Sequence, residues 1–136
     1  MPRLRAATLL LVITVAAVAA CCVLALLAVF QILLAAGLPL GRFAWGGSHR
    51  VLPAKFRIGS VVSVILYALF AVILLDRAQI VEALPETLSS VLIWVWTAYL
   101  FVGVLMNAIS RSKPERWTMT PVALVLGVLS LAVALS

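Results

Sequence analysis

The sequence predicts an all-α membrane protein, a bundle of four antiparallel transmembrane helices joined by short loops. Three observations carry that prediction. Four long apolar runs, Ala6–Ala36, Ile58–Leu75, Leu88–Ile109 and Pro121–Leu135, fill the 136-residue chain, and the first three each hold at least 18 residues without Asp, Glu, Lys, Arg or His. Such runs match the roughly 20 residues needed to cross about 30 Å of hydrocarbon. Composition agrees, with 66% of residues hydrophobic and 10% charged, against about 45–50% and about 25% in soluble domains. The runs are also apolar all round, whereas the strands of a membrane barrel alternate apolar and polar residues. Four spans leave no room for a soluble catalytic domain. Residues 1–136 therefore read as one transmembrane domain, with helices expected at about 6–36, 55–75, 86–110 and 120–135.

The first run follows Pro2, Arg3, Leu4 and Arg5, an arrangement that a secretory signal would share, and Val18, Ala19, Ala20 and Cys21 resemble a lipoprotein cleavage box. Hydrophobicity does not stop at Cys21 but continues to Ala36, so cleavage would bisect a single apolar segment. A transmembrane helix is the better reading. At about 1.5 Å per residue the run would extend about 46 Å, so the helix should tilt or project past the hydrocarbon. Thr14, Ala17, Cys21, Ala25 and Ala28 offer a seam of small residues on one face. Adjacent Cys21 and Cys22 point in different helical directions and read as small apolar packers.

The first loop is the least ordinary segment. Pro39 and Gly41 should end the first helix, Phe43 and Trp45 suit an interfacial aromatic belt, and Gly46 with Gly47 permits positive φ. Pro53 is placed to open the second helix. Two readings stay open. The segment is either a compact interfacial turn anchored by its aromatics, or a short re-entrant piece whose Gly46, Gly47 and Ser48 amides, with Arg42, His49 and Arg50, receive an anionic or polar group.

In the second helix Gly59 and Ser63 provide a second small-residue seam, and Tyr67 adds a polar tip. In the third, Tyr99, Gly103 and Asn107 follow at four-residue steps and share a face, while Trp94 and Trp96 point to different faces. Close helix packing accounts for these residues; alternatively, Tyr67, Tyr99 and Asn107 line a polar cavity opening toward loops one and three. Thr120 and Pro121 read as the N-cap and first residue of the fourth helix, with Trp117 as an interface anchor before it. Glu115 and Arg116 then fall in the third loop, where they could pair with each other or with the first loop. The spans hold no ionisable side chain except at their ends, which argues against a proton-coupled transporter.

Of the ten Lys and Arg residues, Arg42, Arg50, Lys55 and Arg57 belong to the first loop and Arg111, Lys113 and Arg116 to the third. The positive-inside rule places those loops in the cytoplasm and both termini outside, against the pull of Arg3 and Arg5 on the first helix, which often dominates topology. Asp76, Glu82 and Glu86 then occupy the other face. A net charge of +6 in a soluble protein would suggest nucleic acid, but no soluble basic domain exists to present it. Membrane lipid, anionic in particular, is the simpler partner at about 1 kcal/mol per basic residue.

Pro39 and Gly41, then Ala44, Trp45, Gly46, Gly47 and His49, then Val51, Leu52 and Pro53, with Arg57, Gly59 and Ser60 opening the second helix, form a pattern that resembles a group of small uncharacterised bacterial four-helix membrane proteins. The resemblance extends through Asn107, Arg111, Glu115 and Arg116. It implies the architecture and a bacterial cytoplasmic membrane, and brings no activity with it.

No complete catalytic set is readable: His49 is the sole histidine, no carboxylate is placed beside it, and no metal-ligand spacing occurs. No cofactor is implied. The leading expectation is a non-enzymatic membrane module or accessory subunit whose basic face contacts anionic lipid or a membrane-protein partner, with homo-oligomerisation open to so small a bundle. The alternatives are an oligomeric channel or carrier for a small solute, and a lipid-modifying enzyme using His49 with Arg42 or Arg50. The candidate head-group residues are Arg42, Trp45, Gly46, Gly47, His49, Arg50, Arg57, Asn107 and Arg111.

Overall fold

Backbone groups in hydrocarbon must be satisfied within the chain, and a long apolar run does this by closing its own i to i−4 bonds as a helix. A computed structural model of residues 1–136 shows four such helices: α1 (Pro2–Ala35), α2 (Ala54–Arg77), α3 (Glu86–Ala108) and α4 (Lys113–Ala134). Each is long and apolar enough to cross a membrane, no strand interrupts them, and the chain is a multi-pass bundle. Of 104 backbone hydrogen bonds, 83 lie inside the helices, so the membrane-embedded backbone is satisfied locally.

Helix ends follow from particular residues. α1 stops before Gly37, whose φ of +91° is the left-handed geometry that glycine adopts without a Cβ penalty. Leu38 N–H returns to Leu33 O at 3.1 Å and Gly37 N–H to Leu34 O at 3.1 Å, a Schellman ending. The terminator is thus Gly37, ahead of the expected Pro39 and Gly41. Arg57 Nε adds a 2.7 Å bond to Ala35 O, placing a cation on the negative end of the α1 dipole. α2 ends the same way around Gln79 (φ +58°), and Asp76 Oδ1 holds the following turn by accepting from Ala83 N–H at 2.8 Å and Leu84 N–H at 2.9 Å.

The start of α4 corrects the sequence reading. Thr120 and Pro121 do not open this helix; it begins at Lys113, with Ser112 as N-cap accepting from Glu115 N–H, and Pro121 lies inside it. Ser112 and Glu115 have the Ser-x-x-Glu spacing of a capping box, and Pro114 occupies the first turn, where its missing N–H costs nothing. Lys113 and Arg116 are therefore wound into the first turns of α4, and Arg111 alone of the three basic residues stays in the loop. Trp117 does not precede the helix but projects from it, 75% exposed.

α3 packs most extensively on α4 and α1 on α2; α1 also meets α4, while α2 and α3 touch sparingly. The main core lies toward the end of the bundle away from the first loop. There Ala16, Ala17 and Ala20 let α1 approach closely, and Leu24, Leu74, Ile93, Trp96, Leu126 and Val133 fill the interior. The α1 seam is Ile13, Ala16, Ala17, Ala20 and Leu24, a step round the helix from the expected one, and Ala25 is exposed. Residues 1–12 are all exposed, so α1 projects past its neighbours as its length requires.

Candidate functional site

The first and third loops, far apart in sequence, are knitted into one roof. Residues Gly41–Phe43 and Trp45–Gly47 form two 3-10 turns. Gly41 N–H donates to Arg50 O at 2.9 Å, and the chain passes so close that a Cβ on Gly41 would collide with the carbonyl oxygen of His49. Trp45, Gly46 and Gly47 all have positive φ, at 53°, 77° and 69°. That turn presents the Gly46 amide to Glu115, 3.1 Å from Oε2. Glu115, buried in the first turn of α4, also accepts from the Ser110 hydroxyl, and the Ser112 hydroxyl donates to Arg42 O. Glu115 thus pairs with the first loop, one of its two expected partners.

Trp45 lies over α2. Its indole sits where a Cβ on Gly59 would be 2.7 Å from the ring, its Nε1 donates to Ser60 Oγ at 3.4 Å, and Phe56 stacks obliquely at 5.2 Å. Gly59 therefore accommodates a loop tryptophan and not a neighbouring helix, and Ser63 turns its hydroxyl back to Gly59 O.

Beneath this roof is a cavity of about 810 Å³. Its floor and back are apolar, from Leu27 and Phe30 of α1, Leu100 of α3, and Val122 and Leu126 of α4. Polar groups enter from Gln31, Ser63, Tyr67, Tyr99 and Asn107, and at the roof from Ser48, Ser110, Arg111 and Glu115. The α3 wall includes Tyr99, Val102 and Met106, which are 57%, 58% and 61% exposed. α2 and α3 are in sparse contact, so neither helix closes the cavity on that side. Gly103 lies on the same wall, and a Cβ there would meet nothing within 4 Å. The face formed by Tyr99, Gly103 and Asn107 is a cavity wall, and close helix packing does not explain it. A smaller groove of about 430 Å³ between α1 and α4 shares Leu27, Phe30, Met119 and Val122 with the cavity but is almost wholly apolar.

Two residues of the cavity wall carry a buried polar atom without a partner, Nε1 of Trp96 and Oε1 of Gln31; both atoms are sealed off from the cavity space, and the Gln31 side chain lies against the Tyr67 hydroxyl. Trp96 is 1% exposed, and its ring is held by Phe70 at 3.3 Å between centroids and by Tyr99 at 5.5 Å. An unpaired N–H in so dry a place costs about 1–3 kcal/mol.

The nine residues singled out from sequence divide. Trp45, Gly46, Asn107 and Arg111 line the cavity, whereas Arg42, Gly47, His49, Arg50 and Arg57 do not. Arg57 caps α1; Arg42 and Arg50 are exposed and lend backbone carbonyls to the roof; His49 is exposed, with its ring 5.6 Å from Phe56. Gly47 N–H is taken by Ala44 O at 2.9 Å. The amides of Gly46 and Gly47 thus serve internal acceptors, and the anion that Gly46 receives is the protein's own Glu115. Sequence reasoning passed over Gln31 and Trp96 as site residues. Gln31 carried a signal as the one side-chain amide in the first apolar run, whereas Trp96 is indistinguishable in sequence from a core tryptophan.

No protein-family model, curated protein or solved structure matches the chain. The site must be read from its geometry. No group of His, Cys, Asp and Glu side chains is placed to hold a metal, and the cavity wall pairs no nucleophile with a histidine. The arrangement has the make-up of a binding cavity: an apolar bed with a few polar side chains on its wall.

Proposed function

We propose that this protein is a non-enzymatic membrane module that holds one lipid-like amphiphile in the lateral cavity. The observation that carries the reading is the combination of an opening between α2 and α3 with polar groups on the inner wall. A ligand entering from the bilayer can leave its tail in hydrocarbon while its polar part meets Tyr67, Tyr99 and Asn107. The volume falls within the roughly 300–1,000 Å³ of ordinary small-molecule sites. His49, Arg42 and Arg50 lie outside the cavity, which favours binding over lipid modification.

The basic end has a separate part in this reading. Arg42, Arg50, Lys55, Arg57, Arg111 and Lys113 are exposed at the loop one and loop three end, where they suit the anionic cytoplasmic leaflet of a bacterial inner membrane. The termini then face outward. Contact with anionic head groups would anchor the roof while the cavity takes its ligand from the side.

The test is lipid analysis of the protein purified from cells, wild type against Gly103→Leu. A Cβ at 103 enters open space, so a leucine there should intrude on the cavity between Tyr99 and Asn107 without displacing a neighbour. The wild type should retain about one amphiphile per chain that the variant lacks. Identical lipid content in the two proteins would contradict the proposal.

A further inference from the structure

The cavity wall carries both signs of charge at its roof, and that narrows the occupant on the reading that an amphiphile binds there. Glu115 is 8% exposed, and both hydrogen bonds its carboxylate accepts, from Gly46 N–H and the Ser110 hydroxyl, fall on Oε2. Oε1 receives no donor from the protein, yet packing does not seal it off. A half-satisfied carboxylate in so dry a place calls for a cation. Two nearby guanidinium groups are engaged elsewhere: Arg116 donates to Ser110 O at 3.4 Å, and Arg42 lies over the Phe43 ring at 4.8 Å. Arg111 lines the same wall and is exposed, and its planar fork suits the oxygens of a phosphate.

Neither charge alone fits this wall. The roof end is basic, with Glu115 as its single carboxylate, so a bare cation would meet Arg111 and its neighbours as like charges. A bare anion on Arg111 would leave Oε1 unpaired and repel it. A head group bearing both charges satisfies both residues. An ammonium also brings three donors, enough for Oε1 and the Ser48 hydroxyl, and the indole face of Trp45 in the same wall attracts it.

Polarity falls away from the roof in the order a phospholipid requires. Asn107 stands four residues before Arg111, where its amide can donate to an ester carbonyl, and the floor is Leu27, Leu100 and Leu126. Leu100 and Leu126 lie well inside α3 and α4, at the depth of acyl chains. We propose that the cavity binds a zwitterionic phospholipid of the phosphatidylethanolamine type, its ammonium on Glu115 Oε1, its phosphate on Arg111 and its chains running down past Asn107 and Tyr99.

The experiment is native mass spectrometry of the full chain in detergent, titrated separately with dioleoylphosphatidylethanolamine, dioleoylphosphatidylglycerol and tetraphenylphosphonium. The wild type should retain one phosphatidylethanolamine and bind phosphatidylglycerol, with the same chains, roughly tenfold more weakly, the worth of one charge-assisted hydrogen bond. Glu115→Gln, which keeps an acceptor for Gly46, should erase that preference, and Arg111→Gln should weaken both lipids. Gly103→Leu should bind neither. The wild type alone displays the preference, so the test stands even if Glu115→Gln fails to fold. If the two lipids are retained equally in a manner sensitive to Gly103→Leu, or the preference survives Glu115→Gln, the head-group inference fails and the amphiphile site stands. Tetraphenylphosphonium retained ahead of both lipids would overturn the inference in favour of a bare cation. If the wild type retains none of the three, both readings fail.

Discussion

The backbone amide of Gly46 donates to the carboxylate of Glu115 at 3.1 Å, joining the first loop to the first turn of α4, 69 residues further on. One residue thereby ties the segments of the roof together, because Glu115 also takes the Ser110 hydroxyl and its own N–H bonds to Ser112. Hydrogen bonds to a carboxylate are stronger than those between neutral partners.

Replacing Glu115 by Ala should therefore loosen the roof. The expected loss is about 1–3 kcal/mol, since donors on both loops are left without an acceptor. Glu115→Gln keeps an acceptor oxygen and should lose less. Thermal unfolding in detergent, followed by tryptophan fluorescence, checks the order wild type, then Gln, then Ala.

Gly41 has a steric task. Its Cβ would strike the carbonyl oxygen of His49, a backbone atom that cannot swing aside. Gly41→Ala should cost about 1–3 kcal/mol by overpacking, whereas Gly103→Leu, aimed into open space, should leave stability unchanged or slightly raised by the better helix propensity of Leu. Melting temperatures of the two variants should move apart.

At the opposite end Gln79 holds φ +58° in the turn that ends α2, with Ile80 N–H returning to Leu75 O at 2.9 Å. A left-handed residue with a Cβ costs about 1–2 kcal/mol. Gln79→Gly should recover much of that and raise the melting temperature, provided the gain exceeds the added freedom of the unfolded chain. A fall would show that the Gln79 side chain contributes more than its backbone costs.

Much of this was legible before any coordinates, because helices in lipid are dictated by local hydrophobicity and the apolar runs are long. Four helices, their order and the ends of α2 and α3 to within a few residues follow from that alone. The start of α4 is not legible in the same way, because two valid opening signals compete. The pair Thr120 and Pro121 stands beside the apolar run, but Ser112, Pro114 and Glu115 cap earlier, and Pro121 is tolerated inside the helix. The site was half visible. Tyr99, Gly103 and Asn107 announce a face by their spacing, yet spacing cannot tell whether that face meets a helix or a void. The pairing of Gly46 with Glu115, and the orphaned indole of Trp96, depend on tertiary placement and leave no mark in the sequence.

Topology is tested with single cysteines and a membrane-impermeant maleimide, because Cys21 and Cys22 lie within the α1 span. Lys55→Cys should react only from the cytoplasmic side and Glu82→Cys only from outside. The reverse pattern would place the basic end away from the anionic leaflet and remove its proposed role.

The most direct measurement is on the side-chain amide of Asn107, which lines the cavity, recorded by NMR on nitrogen-labelled protein in nanodiscs and identified by its loss in Asn107→Ala. If the cavity holds an amphiphile, that amide shows cross-peaks to ligand protons, and these vanish in Gly103→Leu. Cross-peaks to protein neighbours alone, unchanged by obstructing the cavity, would contradict the account.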